Sequence, residues 1–393
     1  QDCSRSRRLA ASFGASELPK TVQRLSRLQM GQLCSFLGTD NLSALGRMII
    51  RPPRAFYHLS ELGPSEFKIG NVSYERVDLQ LINDRGLKLE CSHYRPTGAG
   101  AATADADAAA GGRPSAQKLP CVVYIHGHSS SRLEAQDAVH LLLPRNITVF
   151  CLDLAGSGLS EGEFVSLGVF EERDIKIVVD HLRSIPTIGE VGLWGRSMGA
   201  AIAVSCAAKD PQVAACVLDS GYSAFPTLAQ ELTTSRRGTL NVPRLFYRTL
   251  YNFVRQEVQT HAGFDIEEVL PIRAAPEAKS PALFIVAKDD AGIPPHHTYD
   301  LHKAWGCNDK MLVTTDGGHG ARRPKALMDF VGRFLQQRLS APTKRDHAGK
   351  VSAPEQKSAV APIVSRWRSK TAISPTDDEV VASQPSTKRI SIE

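Results

Sequence analysis

The sequence predicts an α/β protein built on a mostly parallel central sheet with helices on both faces. Short, continuously apolar runs such as CVVYIHG, ITVFCLDL and PALFIVA lack polar alternation, so they read as strands buried on both sides. Stretches with helical periodicity separate them, which makes the connections crossovers and the strands parallel. In such a sheet, ligand sites gather at the carboxyl ends of the strands.

The elements follow in order. RVDLQLIN and LKLECSHYRP form a strand pair joined by the turn Asn83-Asp84-Arg85-Gly86. CVVYIHG is a third strand, followed by a helix near Leu133 to Leu143 and by the strand ITVFCLDL. A helix from about Phe170 to Ser184 carries Ile175, Val178, Val179 and Leu182 on one face. The strand VGLW, the small-residue helix AAIAVSCAA and the strand VAACVLD come next. Residues 224–280 form a long insertion before PALFIVA, MLVTT and a final helix near Pro324 to Leu339.

Three segments lack a core-forming pattern. Residues 97–118 are Ala/Gly/Asp low complexity and read as a solvent loop between strands. Residues 341–393 read as a disordered tail. Residues 1–54 form a basic, partly disordered lead-in with one helix around Val22 to Leu37. Its Arg- and Ser-rich, acid-poor opening suits a transit peptide and an unstructured arm equally, so organelle targeting stays open beside a cytoplasmic location. The central domain therefore spans 55–340.

Charge narrows the function. The net charge of +6 on 393 residues is unevenly placed: residues 1–54 carry +6 and 341–393 carry +3, leaving −3 on the centre. A slightly acidic centre argues against nucleic acid as its partner. Of eight cysteines, Cys121, Cys151, Cys206 and Cys216 lie inside apolar runs and read as small core residues in a reducing compartment. No cysteine pair has zinc-ligand or redox spacing, and no metal or organic cofactor is implied. No apolar run reaches the roughly 20 residues that span a bilayer.

Two copies of G-x-S-x-G occur, Gly158-Leu159-Ser160-Glu161-Gly162 and Gly195-Arg196-Ser197-Met198-Gly199. A nucleophile elbow needs a strand running straight into a strained turn and then a helix, with small flanking residues where backbones approach. Ser197 meets this requirement between VGLW and the helix opened by Gly199-Ala200-Ala201. Ser160 does not, because its strand ends around Asp153 and no helix follows Gly162; GLSEG reads as a Gly-rich loop.

A serine hydroxyl needs a base to take its proton, and the base needs a third group to fix its tautomer. Of twelve histidines, five follow PALFIVA. His319 sits in a Gly-rich loop between a strand end and the last helix, whereas His296 and His297 read as surface residues at a helix start. His126 precedes the nucleophile in the chain and reads as a structural hydrogen-bonder. For the acid, the loop after PALFIVA offers Asp289 and Asp290, with Asp219 as the fallback. The oxyanion donors are the backbone N–H groups of Met198 and of His128 in the loop after CVVYIHG.

With these residues placed, the chain from about 70 to 340 resembles the α/β-hydrolase superfamily, above all the group of serine aminopeptidases, monoacylglycerol lipases and related depalmitoylases. YIHGHSSSR, DLAGSGLSEGEFVSLG and LWGRSMGA also resemble stretches of plant and protist hydrolases. The resemblance implies the α/β-hydrolase fold with a helical cap insertion at 224–280. It places Ser197, Asp290 and His319 on the triad positions, and His128 and Met198 on the oxyanion hole. It implies cleavage of an acyl ester or thioester of a lipid or acylated protein; a peptidase of the aminopeptidase type and a non-catalytic binding protein are the alternatives. Phe225, Leu245, Phe246, Leu250, Tyr251 and Phe253 in the cap read first as core packing at helical spacing, and the arginines among them as a solvated face; the sharper reading is an acyl-binding groove. Arg236, Arg237, Arg244, Arg248 and Arg255 would then form a cationic rim for peripheral membrane contact.

Overall fold

A computed structural model describes residues 46–47, 49–97, 118–234, 244–340 and 389–391, the side chains of 244–246 and 389–391 excepted. The low-complexity residues 98–117, the helix expected at 22–37, the tail from 341 to 388 and the cap residues 235–243 lie outside this description, including Arg236 and Arg237.

The chain runs β1 (Glu66–Ile69), β2 (Val72–Ile82), β3 (Lys88–Pro96), β4 (Leu119–Ile125), α1 (Gln136–Leu142), β5 (Thr148–Leu152), α2 (Glu171–Ser184), β6 (Ile188–Arg196) and α3 (Met198–Lys209). It continues through β7 (Cys216–Asp219), α4 (Phe225–Thr234), α5 (Arg244–Ala262), α6 (Pro271–Ala274), β8 (Ala282–Ala287), α7 (Pro295–Ala304), β9 (Lys310–Thr315), α8 (Lys325–Leu339) and β10 (Arg389–Ser391). The strands form one sheet in the order β1-β2-β3-β5-β4-β6-β7-β8-β9-β10. β1, β2 and β3 are antiparallel, β3 meets β5 antiparallel, and the strands from β5 across to β10 run parallel.

The β2–β3 hairpin forms because Asn83 closes its turn, its side-chain oxygen accepting the N–H groups of Arg85 at 3.0 Å and Leu87 at 2.9 Å. β4, β5 and β8 are buried along nearly their whole length, as their unbroken apolar runs require. Alternate residues of each strand feed opposite faces. Val123, Leu193 and Phe284 join one apolar core with Ile175, Val178 and Leu182 of α2, while Val122, Trp194 and Leu283 join a second with Val139 of α1 and Leu335 of α8. Each such fully buried aliphatic side chain contributes about 2 kcal/mol of hydrophobic stabilisation. The domain draws in residues before 55 as well, since Ile50 is fully buried and its carbonyl accepts the Val165 N–H at 2.7 Å.

Five of the described cysteines, Cys91, Cys121, Cys151, Cys206 and Cys216, are buried free thiols. Burial pushes the Cys121 thiol up to about 12, which keeps it protonated and inert. Among the described residues, no helix is long and apolar enough to cross a membrane.

One feature of topology positions the site. β4 lies between β5 and β6, so the chain leaves it first to one side and then to the other. The loops after β4 and β6 diverge there, and the crevice between them is where an open α/β sheet binds ligands.

Candidate active site

Ser197 occupies the single residue between β6 and α3, with φ 57° and ψ −120°. A non-glycine residue held there stores about 1–3 kcal/mol of strain, which the surroundings must offset. Its N–H donates to the Asp219 carbonyl at 2.8 Å, and its own carbonyl accepts the Ala200 N–H at 3.0 Å. The flanking glycines are required by contact. A Cβ on Gly195 would lie 2.1 Å from the Gly199 carbonyl oxygen, and one on Gly199 would lie 2.0 Å from that of Ile125.

The Ser197 hydroxyl donates to His319 Nε2 at 2.9 Å, and His319 Nδ1–H donates to Asp290 Oδ2 at 2.7 Å. The other Asp290 oxygen accepts the N–H groups of Gly292 at 2.9 Å and Ile293 at 2.7 Å, which fixes the carboxylate toward the imidazole. The Asp290 side chain is 1% exposed and that of His319 is 32% exposed, so the carboxylate is enclosed while the imidazole is partly open. Asp289 points elsewhere, accepting the Gly317 N–H at 3.2 Å from an exposed position. Asp219 is turned into a buried ion pair with Arg323.

Met198 begins α3, the position whose N–H has no partner within a helix. The loop after β4 runs beside it, since a Cβ on Gly127 would lie 3.3 Å from the Cβ of Ser197. Glu134 steadies that loop by accepting the Gly127 N–H at 3.1 Å and the Tyr124 hydroxyl at 3.1 Å. The His128 side chain is turned away. Its pKa is lowered by burial, and in the neutral ring Nε2–H donates to the Ile49 carbonyl at 2.9 Å, leaving only the backbone N–H of this residue as a candidate donor. His126 is fully buried and accepts the Leu154 N–H on Nε2 at 3.1 Å, a structural bond between the loops after β4 and β5.

Ser160 is 1% exposed. Its hydroxyl donates to the Asp153 carbonyl at 2.6 Å and accepts the Glu90 N–H at 2.8 Å, so it fastens the Gly-rich loop to β3. No histidine is among its partners. The two G-x-S-x-G copies thus have different surroundings, one strained and open and one buried and bonded.

Sequence reasoning missed two arginines. Arg196 donates to the His319 carbonyl at 2.9 Å, and Arg323 reaches Asp219, Ser220 and the Ala321 carbonyl. Arg196 carried a signal, being a charged residue placed between an apolar strand and the elbow serine. Arg323 carried none, because an arginine near a helix start reads as surface. His297 also corrects the expectation of a surface residue: it is fully buried, with Nδ1 2.7 Å from the Ser223 hydroxyl. Its partners lie on β7's loop and on α4, far upstream in the chain, so nothing near it in sequence announced burial.

In the cap, Leu250, Tyr251 and Phe253 pack into the apolar core, and Arg255 pairs with Asp265. The groove between α4 and α5, about 350 Å³, is bordered by Gln230, Arg248, Asn252, Arg255 and Glu267, so its wall is largely polar. The side chains of Leu245, Phe246 and Arg244 lie outside the described residues.

The family model of the serine aminopeptidases (S33) matches residues 116–252, from before β4 into α5. An uncharacterised Bacillus subtilis protein, YqkD, is 25% identical over 201 residues, covering 50% of this chain and 64% of that one. The α/β-hydrolase domain-containing protein WAV2 of Arabidopsis thaliana is 24% identical over 188 residues, covering 47% of this chain and 57% of that one. The matches thus span under two thirds of the length of these relatives. Among solved structures, the Pyrococcus furiosus esterase Pf2001 superposes with a TM-score of 0.54 at 18% identity, covering 74% of this chain and 99% of that one. Strand order and superposition together give this chain the α/β-hydrolase fold. Within it, the chain is similar to the serine aminopeptidase group over the segment that carries the elbow.

Proposed function

We propose that the protein is a serine hydrolase that cleaves an acyl ester or thioester through an acyl-enzyme on Ser197. One observation carries the reading: a strained, open serine hydroxyl stands 2.9 Å from an imidazole whose other nitrogen is 2.7 Å from an enclosed carboxylate.

In this reading Ser197 Oγ attacks the acyl carbon and its proton passes to His319 Nε2. Asp290 holds the tautomer and stabilises the imidazolium that forms. The N–H groups of Met198 and His128 receive the oxyanion, each worth about 3 kcal/mol at the barrier. His319 then protonates the leaving alcohol or thiol. Water attacks the acyl-enzyme with His319 again as base, the acid product departs, and Ser197 regains its proton.

Lipids and acylated proteins are the substrate class, and the cationic residues of the cap would bring the enzyme to membrane phosphates. The match to the aminopeptidase model supports a second reading, a peptidase acting on short peptides with the same triad. A panel of p-nitrophenyl esters of short and long acyl chains, thioesters and aminoacyl amides separates the two. Turnover of esters or thioesters that Ser197→Ala abolishes fits the proposal; cleavage of aminoacyl amides alone would replace it with the peptidase.

A further inference from the structure

Apart from the triad, one group of metal-ligating side chains comes together among the described residues. Glu231 on α4 faces His296 and His297 at the start of α7, and one ligand atom from each lies within 4.8 Å of the others. Glu231 Oε1 is 3.1 Å from His296 Nε2, and Glu231 Oε2 is 3.2 Å from His297 Nε2. Two adjacent histidines thus turn the same nitrogen toward one carboxylate, with their rings stacked at 4.4 Å.

We propose that Glu231, His296 and His297 form a binding site for a divalent transition-metal ion, zinc by preference. Imidazole and carboxylate suit that class, and two histidines with one glutamate are a ligand set zinc accepts. Metal–ligand bonds of about 2.0–2.1 Å in a tetrahedron set ligand atoms about 3.3 Å apart, so atoms already gathered within 4.8 Å need only a small adjustment to close on one ion.

The surroundings are those of a ligand, not of a solvated side chain. His297 is fully buried, and its Nδ1 accepts the Ser223 N–H at 3.3 Å and lies 2.7 Å from the Ser223 hydroxyl, contacts that hold the ring with Nε2 toward Glu231. The His296 side chain is 48% exposed and that of Glu231 is 32% exposed, which gives the ion a path in and leaves a fourth position for water. The bound ion would tie α4 to the helix that follows the Asp290 loop. It shares no ligand with the triad, so the site stands whether or not Ser197 is a nucleophile.

The test titrates the metal-free full-length protein with Co²⁺ and then displaces it with Zn²⁺, alongside Glu231→Gln and His296→Ala. Both substitutions fall on partly exposed side chains, and thermal unfolding in chelator shows whether each variant folds as the parent does. The expected result is one Co²⁺ per chain with the intense visible bands of a four-coordinate site, lost to Zn²⁺. Affinity should fall at least about tenfold in each variant. Zinc should also raise the parent's unfolding midpoint and leave that of the variants unmoved. Absence of the bands, or equal binding by parent and variants, would overturn the site.

Discussion

Arg323 grips the Asp219 carboxylate at both oxygens, 2.7 Å to Oδ1 and 2.9 Å to Oδ2, and both side chains are 4% exposed. The Asp219 carbonyl meanwhile accepts the Ser197 N–H at 2.8 Å, and Arg323 donates to the Ala321 carbonyl at 3.2 Å, just beyond His319. The pair therefore joins the strand beside Ser197 to the loop that carries His319. Burial works against the Arg323 charge, but the bonds and charge of Asp219 outweigh it and raise its pKa.

Removing one partner leaves the other charge buried and alone. Arg323→Ala should cost about 3–5 kcal/mol in urea unfolding, while Arg323→Met combined with Asp219→Asn should recover much of that loss. Equal destabilisation by the single and double variants would show that the ion pair is not what is lost.

The acid assignment separates by kinetics. Asp290→Asn keeps the shape of the site but supports the wrong imidazole tautomer, so kcat should fall by about 10⁴. Asp289→Asn should leave kcat near the parent value, because its carboxylate contacts the Gly317 N–H and not the imidazole. Ester hydrolysis under saturating substrate checks both.

The elbow tolerates no added methyl. Gly199→Ala places a Cβ 2.0 Å from the Ile125 carbonyl oxygen, and the atoms it meets are all backbone of Ile125 and His126, which leaves little room to shift. A loss of about 3 kcal/mol in stability is expected, with ester hydrolysis falling through displacement of Ser197. Calorimetry and steady-state rates on the same sample measure the two effects.

Acid stability has a specific source in His93 on β3. Burial first, then the nearby Arg95 and His181, push its pKa down from 6.5 to about 3. Between those values the unfolded chain binds a proton that the folded chain refuses, so stability falls as pH drops from 6.5 toward 3. The slope is about 1.4 kcal/mol per pH unit, or about 3 kcal/mol by pH 4.5. His93→Leu should flatten this limb, which urea midpoints at pH 7 and pH 4.5 would reveal.

How far the sequence could be read depended on whether the signal was local. Ser197 was legible because strand, turn and small-residue helix are adjacent in the chain, and His319 and Asp290 because each follows a strand end. β1 was not, since four residues with alternating half-burial give too short a pattern to separate from a loop. The cap aromatics were legible as core from their helical spacing, and Leu250, Tyr251 and Phe253 do pack there, although the elements they pack against were not legible because they are distant in the chain. Arg323 and His297 share the same obstacle: the groups that bury them, Asp219 and Glu231, are brought near only by the fold. A charged or titratable residue reads as solvated until its partner is in place.

Ser197, and not Ser160, is the proposed nucleophile. Labelling with a fluorophosphonate probe tests it most directly, comparing the parent with Ser197→Ala and Ser160→Ala and mapping the adduct by mass spectrometry. One adduct per chain is expected on the peptide bearing Ser197, retained in folded Ser160→Ala and absent from Ser197→Ala. Undiminished labelling of Ser197→Ala, or an unlabelled parent, would contradict it.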